Sequence, residues 1–184
     1  MSKQDKPYLL AIDNGTQSVR ALVFDLDGQV VAKTKIDLEA YFSEEPGWAE
    51  QSPEYYWENL CKACHALWPK LDFPKSQIKA VALTTQRATM VNVDKDGNSL
   101  RPAFVWLDQR EQEKLDKMSP LWETLITLAG EKQTVKYFRT QAEANWIAHN
   151  QPEIWKKTHK YLLLSGYHTH KLTGKFVDST SSQV

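Results

Sequence analysis

Asp13-Asn14-Gly15-Thr16-Gln17-Ser18-Val19-Arg20 lies between two apolar runs, Tyr8–Ile12 and Ala21–Phe24. Two β-rich runs joined by a short glycine-containing turn predict a hairpin. The turn is rich in groups that suit phosphate. Gly15 has no Cβ to hold a ligand away from the backbone. Thr16 and Ser18 bring hydroxyls, and successive N–H groups in such a turn can form an anion-binding nest. Arg20 can grip phosphate oxygens as a fork. Asp13, at the strand end, is placed to hold Mg²⁺, usually through its waters. The same residues also make a good tight turn and nothing more, so the rest of the chain has to decide. Asn14-Gly15-Thr16 matches a glycosylation acceptor, but no signal peptide is visible and the match is read as accidental.

The chain has 184 residues, 41% of them hydrophobic. A domain of this size buries roughly 70% of its unfolded surface, enough for one core. Its 23 basic and 23 acidic residues balance, which gives no reason to expect a nucleic-acid or acidic-membrane partner. The N-terminal stretch Met1–Pro7 is polar, and no apolar run approaches membrane-spanning length. A cytoplasmic protein without a membrane partner is expected.

Cys61-Lys62-Ala63-Cys64-His65 matches the haem-attachment pattern C-x-x-C-H. Yet Trp57, Leu60, Cys61, Cys64, Leu67, Trp68 and Leu71 recur at helical spacing. Both cysteines are therefore expected on the inward face of a helix, as free buried thiols. His168-Thr169-His170 is too thin a cluster to complete a zinc site.

Residues 29–37 alternate well enough for a third antiparallel strand. A loop over residues 43–51 ends at Ser52-Pro53, where Ser52 is a credible N-cap and Pro53 fits the first helical position. That helix is expected to run to about Leu71. Residues 78–85 read as a strand parallel to its neighbour, with a polar C-terminal end continuing as Gln86-Arg87-Ala88-Thr89. Such ends are where open α/β sheets place ligands. A further hairpin is expected from residues 90–94 and 103–106, with the turn Lys95-Asp96-Gly97-Asn98 between them. Its Asp94–Gly97 stretch lacks the remaining positions of a calcium loop. A charged helix is expected from Leu107 to about Met118, then helices over 121–129 and 140–150. Residues 161–165 fit either a short buried strand or a helix start. A short helix should end near Gly174, followed by a polar tail to Val184.

Five stretches in this order resemble the N-terminal part of the FGGY carbohydrate kinases, the family of glycerol kinase, xylulokinase and ribulokinase. They are Asp13–Arg20, Pro46–Pro53, Thr84-Thr85-Gln86-Arg87, Pro102–Arg110 and Lys171-Leu172-Thr173-Gly174. The resemblance implies an α/β, actin-like (ribonuclease-H-like) fold that starts with a three-stranded antiparallel meander. It implies transfer of the γ-phosphoryl of ATP, with Mg²⁺, to a sugar or polyol hydroxyl. Asp13 would serve the metal, and Gly15, Thr16, Gln17, Ser18 and Arg20 the ATP phosphates. Gln86, Arg87, Trp106, Asp108 and Tyr137 would bind the sugar. Phosphoryl transfer asks mainly for positioning and charge neutralisation, which such groups supply.

Glycerol kinases follow the Gln-Arg pair with Glu, a polyol ligand, whereas this chain has Ala88. A methyl group cannot accept a hydroxyl hydrogen bond, which points to a longer sugar or polyol than glycerol. The family's catalytic aspartate, its adenine-binding residues and its second domain are expected beyond Val184. Residues 1–184 would then be part of the kinase N-terminal domain and inactive alone. An apolar face left open should drive self-association, for instance as a homodimer, or leave a disordered end near Val184. Other readings stand beside the kinase: a stand-alone sugar-binding module or degenerate remnant without kinase activity, and a heat-shock-type ATPase, against which Gly47-Trp48 and Gln86-Arg87 speak.

Overall fold

Residues 8–37 fold as an antiparallel meander of β1 (Tyr8–Asn14), β2 (Ser18–Phe24) and β3 (Val30–Asp37) in the computed structural model, which describes residues 6–180. The expectation for the end at Val184 lies outside the described residues. Leu10 and Ile12 of β1 and Val19, Ala21 and Val23 of β2 turn one face inward, as the period of two requires.

The chain then crosses through β4 (Glu50–Gln51), two residues inside the expected loop, into α1 (Pro53–Leu67). Ser52 caps that helix by accepting from the Tyr55 N–H, Pro53 opens it, and a 3-10 turn at Trp68–Lys70 finishes it. Leu60, Ala63 and Leu67 of α1 pack on the buried face of the meander. Tyr56, one turn earlier, belongs to a second core with Val91, Val93, Ala103, Leu164 and Tyr167. One helix therefore joins two cores.

After α1, β5 (Ile78–Thr85) pairs in parallel with β1, placing Asp13 beside Thr84 and Asn14 beside Thr85. The order of the first sheet is β3-β2-β1-β5, so the phosphate-type turn and the polar tip of β5 emerge at one end. The expected hairpin is β6 (Met90–Val93) and β7 (Ala103–Phe104), part of a second sheet with order β4-β7-β6-β8. Here β8 is Lys160–Leu163.

No helix forms over Leu107–Met118; the segment is irregular, with Arg110 and Gln112 buried. Beyond it come α2 (Pro120–Leu128), α3 (Lys132–Gln141), α4 (Glu143–Asn150) and α5 (Pro152–Lys157). The expected helix over 140–150 is thus two, broken at Ala142, whose ψ of 110° is extended. Residues 161–165 are both of the things considered: β8 runs directly into α6 (Leu164–Thr173), which ends on Gly174 at a φ of 71°.

The cysteines are half-buried rather than fully buried, and Cys64 packs against the first core. Cys61 and Cys64 line an open apolar groove with Trp57, Trp68, Ile78 and Val81. Burial pushes the Cys64 thiol up to about 11, so at neutral pH it is a thiol and not a nucleophilic thiolate. Among the described residues no helix is long and apolar enough to cross a membrane, and no group of three or more metal-ligating side chains gathers.

Candidate active site

Parallel pairing of β1 with β5 sets two loops side by side, and the segment after β7 closes over them. The indole Nε1 of Trp106 donates to Thr16 Oγ1 at 3.0 Å. Thr16, Gln86, Arg87, Ala88 and Trp106 together line an open cleft of about 440 Å³. Trp106 is 52% exposed, so its ring is a wall of this cleft and not part of the core. Among the described residues the Arg87 guanidinium has neither a hydrogen bond nor an ion-pair partner, which leaves a free cation at the rim.

The turn itself is shaped for an anion. The Gly15 N–H donates to the Ser18 carbonyl at 3.0 Å, and the Gln17 carbonyl accepts from Leu38. Among the described residues the N–H groups of Thr16 and Gln17 have no acceptor. A Cβ on Gly15 would meet only the Ser18 carbonyl oxygen, at 3.6 Å. The fold leaves room for a side chain there, so bareness at Gly15 matters to what approaches from outside. Ser18 is buried as the first residue of β2, and Gln17 is exposed. Arg20 is turned to Asp13, its cross-strand partner, at 2.9 Å in an exposed pair.

Gln86 is held rather than free. Its Nε2 donates to the Tyr56 hydroxyl at 2.8 Å, and burial raises that phenol to about 12. Its backbone N–H donates to the Asn14 carbonyl at 2.8 Å. Ala88 adopts a φ of 50°, the left-handed region that L side chains rarely occupy, at the edge of the cleft.

Two of the expected sugar contacts lie elsewhere. The Asp108 side chain is 1% exposed. Its carboxylate accepts from the Ala49 N–H at 2.8 Å, from the Arg110 N–H at 3.0 Å and from the Arg110 guanidinium at 2.6 Å. Tyr137 stands on α3, 60% exposed, with its ring against Phe138 and not on the cleft lining.

Behind Trp106 lies a buried charge network whose role the sequence motifs did not disclose. Glu50 accepts from both Arg101 and Arg110, and Arg110 also pairs with Asp108. The Arg110 guanidinium lies over the rings of Phe104 at 3.9 Å, Trp48 at 4.2 Å and Trp146 at 4.7 Å. Two cations and two carboxylates neutralise one another in a water-poor shell, and aromatic faces supply the remaining contacts. Trp106 sits between two anchored points of this network, Val105, whose N–H donates to Ala49, and Asp108. Charged residues at four positions around the Gly47-Trp48 and Trp106 motifs were the available signal.

On the other side of the turn, His168 Nε2 lies 3.0 Å from Asn14 Oδ1. Burial pulls this imidazole down to about 3, so it is neutral at physiological pH.

The FGGY family of carbohydrate kinases, N-terminal domain, matches residues 8–183. Among relatives, the glycerol kinase of Thermococcus gammatolerans is 28% identical over 179 residues, covering 95% of this chain and 36% of that protein. The glycerol kinase of Leifsonia xyli subsp. xyli is 37% identical over 113 residues, covering 61% of this chain and 22% of that protein. Among solved structures, a xyloylose kinase from Brucella ovis superposes with a TM-score of 0.75 at 26% identity, over 95% of this chain and 36% of that one. A Plasmodium falciparum glycerol kinase with ADP gives 0.67 at 26% identity, over 92% and 35%. The chain thus spans about a third of the length of the relatives it matches. The fold is the actin-like α/β fold of these kinases, and the chain belongs to the FGGY family of carbohydrate kinases.

Proposed function

We propose that this chain forms the sugar and phosphate side of a carbohydrate kinase site, which transfers the γ-phosphoryl of ATP to a sugar or polyol hydroxyl. The observation that carries this reading is the Trp106–Thr16 hydrogen bond, which holds the phosphate-type turn and an exposed aromatic wall at one cleft. The free N–H groups of Thr16 and Gln17 would hold phosphate oxygens, and Arg87 would offset the charge that develops between donor and acceptor. The Trp106 face suits the C–H surface of a sugar ring or chain. Ala88, with no acceptor, favours a substrate longer than glycerol.

Asp13 fits a magnesium ion. It stands at a strand end beside the turn, and Mg²⁺ commonly takes one or two carboxylates while keeping several waters. Such an ion, when bound, neutralises phosphate charge. Arg20, paired with Asp13, is near enough to follow the carboxylate's needs or to turn to a phosphate.

None of the five residues lining the cleft can take a proton from an attacking hydroxyl. The base would come from the portion of the enzyme that the matched stretch of the relatives does not include, and the 184-residue chain alone would bind without turnover. The same lack of a base also favours a second reading, a sugar-binding module. A homodimer formed through the exposed edge of β5, in a cytoplasmic setting, completes the proposal.

Titration calorimetry of the chain with pentuloses, hexonates and polyols, with and without Mg·ATP, tests it. Saturable sugar binding that Mg·ATP strengthens, without turnover, is the expected result. Sugar binding indifferent to Mg·ATP would favour the binding module. Binding of neither ligand would overturn both readings, and robust phosphorylation by the chain would overturn the need for an added base.

A further inference from the structure

His168 and Asn14 are 154 residues apart in sequence, yet both are fully buried and face each other at 3.0 Å. The Asn14 Nδ2 donates to the Gly15 carbonyl at 3.2 Å, which fixes the sense of the amide. Exchanging its oxygen and nitrogen would set two acceptors, Oδ1 and the Gly15 carbonyl, against each other. With Oδ1 turned to the ring, the hydrogen must lie on His168 Nε2. Nδ1 is then bare, and among the described residues it has no partner. The rings of Trp57 and Tyr167 flank the imidazole.

The backbone of Asn14 is a junction as well. Its carbonyl accepts the Gln86 N–H at 2.8 Å, which ties the turn to the tip of β5 that carries Arg87. Asn14 is therefore one of the anchors of the turn on the β1 side, beside the Gly15 N–H bond to the Ser18 carbonyl.

We infer that His168 is a positioning residue for the phosphate turn: its Nε2–H holds the Asn14 amide, which in turn holds the Gly15 carbonyl and the direction of the free N–H groups that follow. It rests on the phosphate reading of the turn. An aliphatic side chain at position 168 could fill the same space. It would leave Asn14 Oδ1 buried without a donor, and a buried unpaired acceptor drives rearrangement where the backbone is least supported, here the turn.

Nitrogen-15 NMR of the full chain tests this. The imidazole spectrum of the native protein should show the neutral Nε2–H form, and a ring protonated at Nδ1 alone would overturn the inference. In His168→Leu the amide signals of residues 14–18 should shift or broaden. The affinity of the turn for inorganic pyrophosphate, followed at the Thr16 and Gln17 amides, should fall about tenfold, the equivalent of one hydrogen bond. His168→Gln, which keeps a donor, should recover most of both. Unchanged turn amides in His168→Leu would overturn the inference, as would equal loss in His168→Gln with the fold intact. Where His168→Leu does not fold, the native tautomer and His168→Gln decide. Failure of pyrophosphate to shift the native turn would sink the phosphate reading of the site, while the tautomer and the turn amides would still test the hold of His168 on Asn14.

Discussion

Trp106 Nε1 donates to Thr16 Oγ1 across 90 residues of sequence, so one hydrogen bond ties the wall of the cleft to the phosphate-type turn. Trp106→Phe keeps an aromatic face and removes the donor. Sugar affinity should fall about three- to tenfold, as for one partly exposed hydrogen bond of about 1 kcal/mol. Thr16→Val should cost a similar amount, and the double variant should lose little more than either alone. Additive losses by calorimetry would show that the two residues act independently.

The Glu50 carboxylate is shared by Arg101 and Arg110 in a buried shell. Glu50→Ala would leave the buried Arg101 guanidinium without its carboxylate partner, while Arg110 keeps Asp108. Breaking a buried pair in this way costs about 3–5 kcal/mol, so the melting temperature should fall by on the order of 10 °C. Because Val105 and Asp108 hold the Trp106 loop, sugar binding should weaken too, which differential scanning fluorimetry and calorimetry would read separately.

Burial keeps His168 neutral, with its pKa at about 3 in the folded chain against 6.5 for an ordinary imidazole. The unfolded chain therefore binds the extra proton, and stability at neutral pH is lost as the pH drops below about 6.5 towards 3. The slope from this group is about 1.4 kcal/mol per pH unit in that window. Urea unfolding of the native chain and His168→Leu at pH 7, 6, 5 and 4 checks it. The native curve should decline more steeply, and parallel curves would refute the assignment.

Val81 lies 53% exposed on β5, the edge strand of the first sheet, beside the apolar groove that holds Cys61 and Cys64. Open apolar edges pair with other chains. Light scattering should show concentration-dependent dimers of the native chain, and Val81→Lys should move the population to monomer. Monomer at all concentrations in both would remove the homodimer from the proposal.

The parts of the fold that follow a local rule were legible in the sequence. The meander comes from two apolar runs around a glycine-containing turn and an alternating third strand, and the start of α1 from Ser52, Pro53 and Glu54. The Asp108–Arg110 segment was not legible as irregular chain, because its charges resembled an exposed helix face. Residues two apart do not face each other on a helix, and pairing the Asp108 carboxylate with the Arg110 guanidinium requires another backbone. Glu50 and Arg101 are likewise informative only when β4 and β7 are brought together. In the site, Thr16, Gln86, Arg87 and Trp106 meet at one cleft. Tyr137 does not, and its placement depends on the break at Ala142 and on α2 and α3, whose side chains carry no buried residue to fix them. His168 stood in a short histidine cluster that reads as too thin for a zinc site. Its contact with Asn14 is a tertiary fact with no local signature.

At Ala88 the main chain turns through a left-handed conformation where it borders the cleft. A β-branched or bulky residue there would face a conformational penalty of roughly 1–3 kcal/mol before it touched any substrate. The Ala88 edge of the cleft is consequently shaped by the path of the backbone as well as by the size of the side chain.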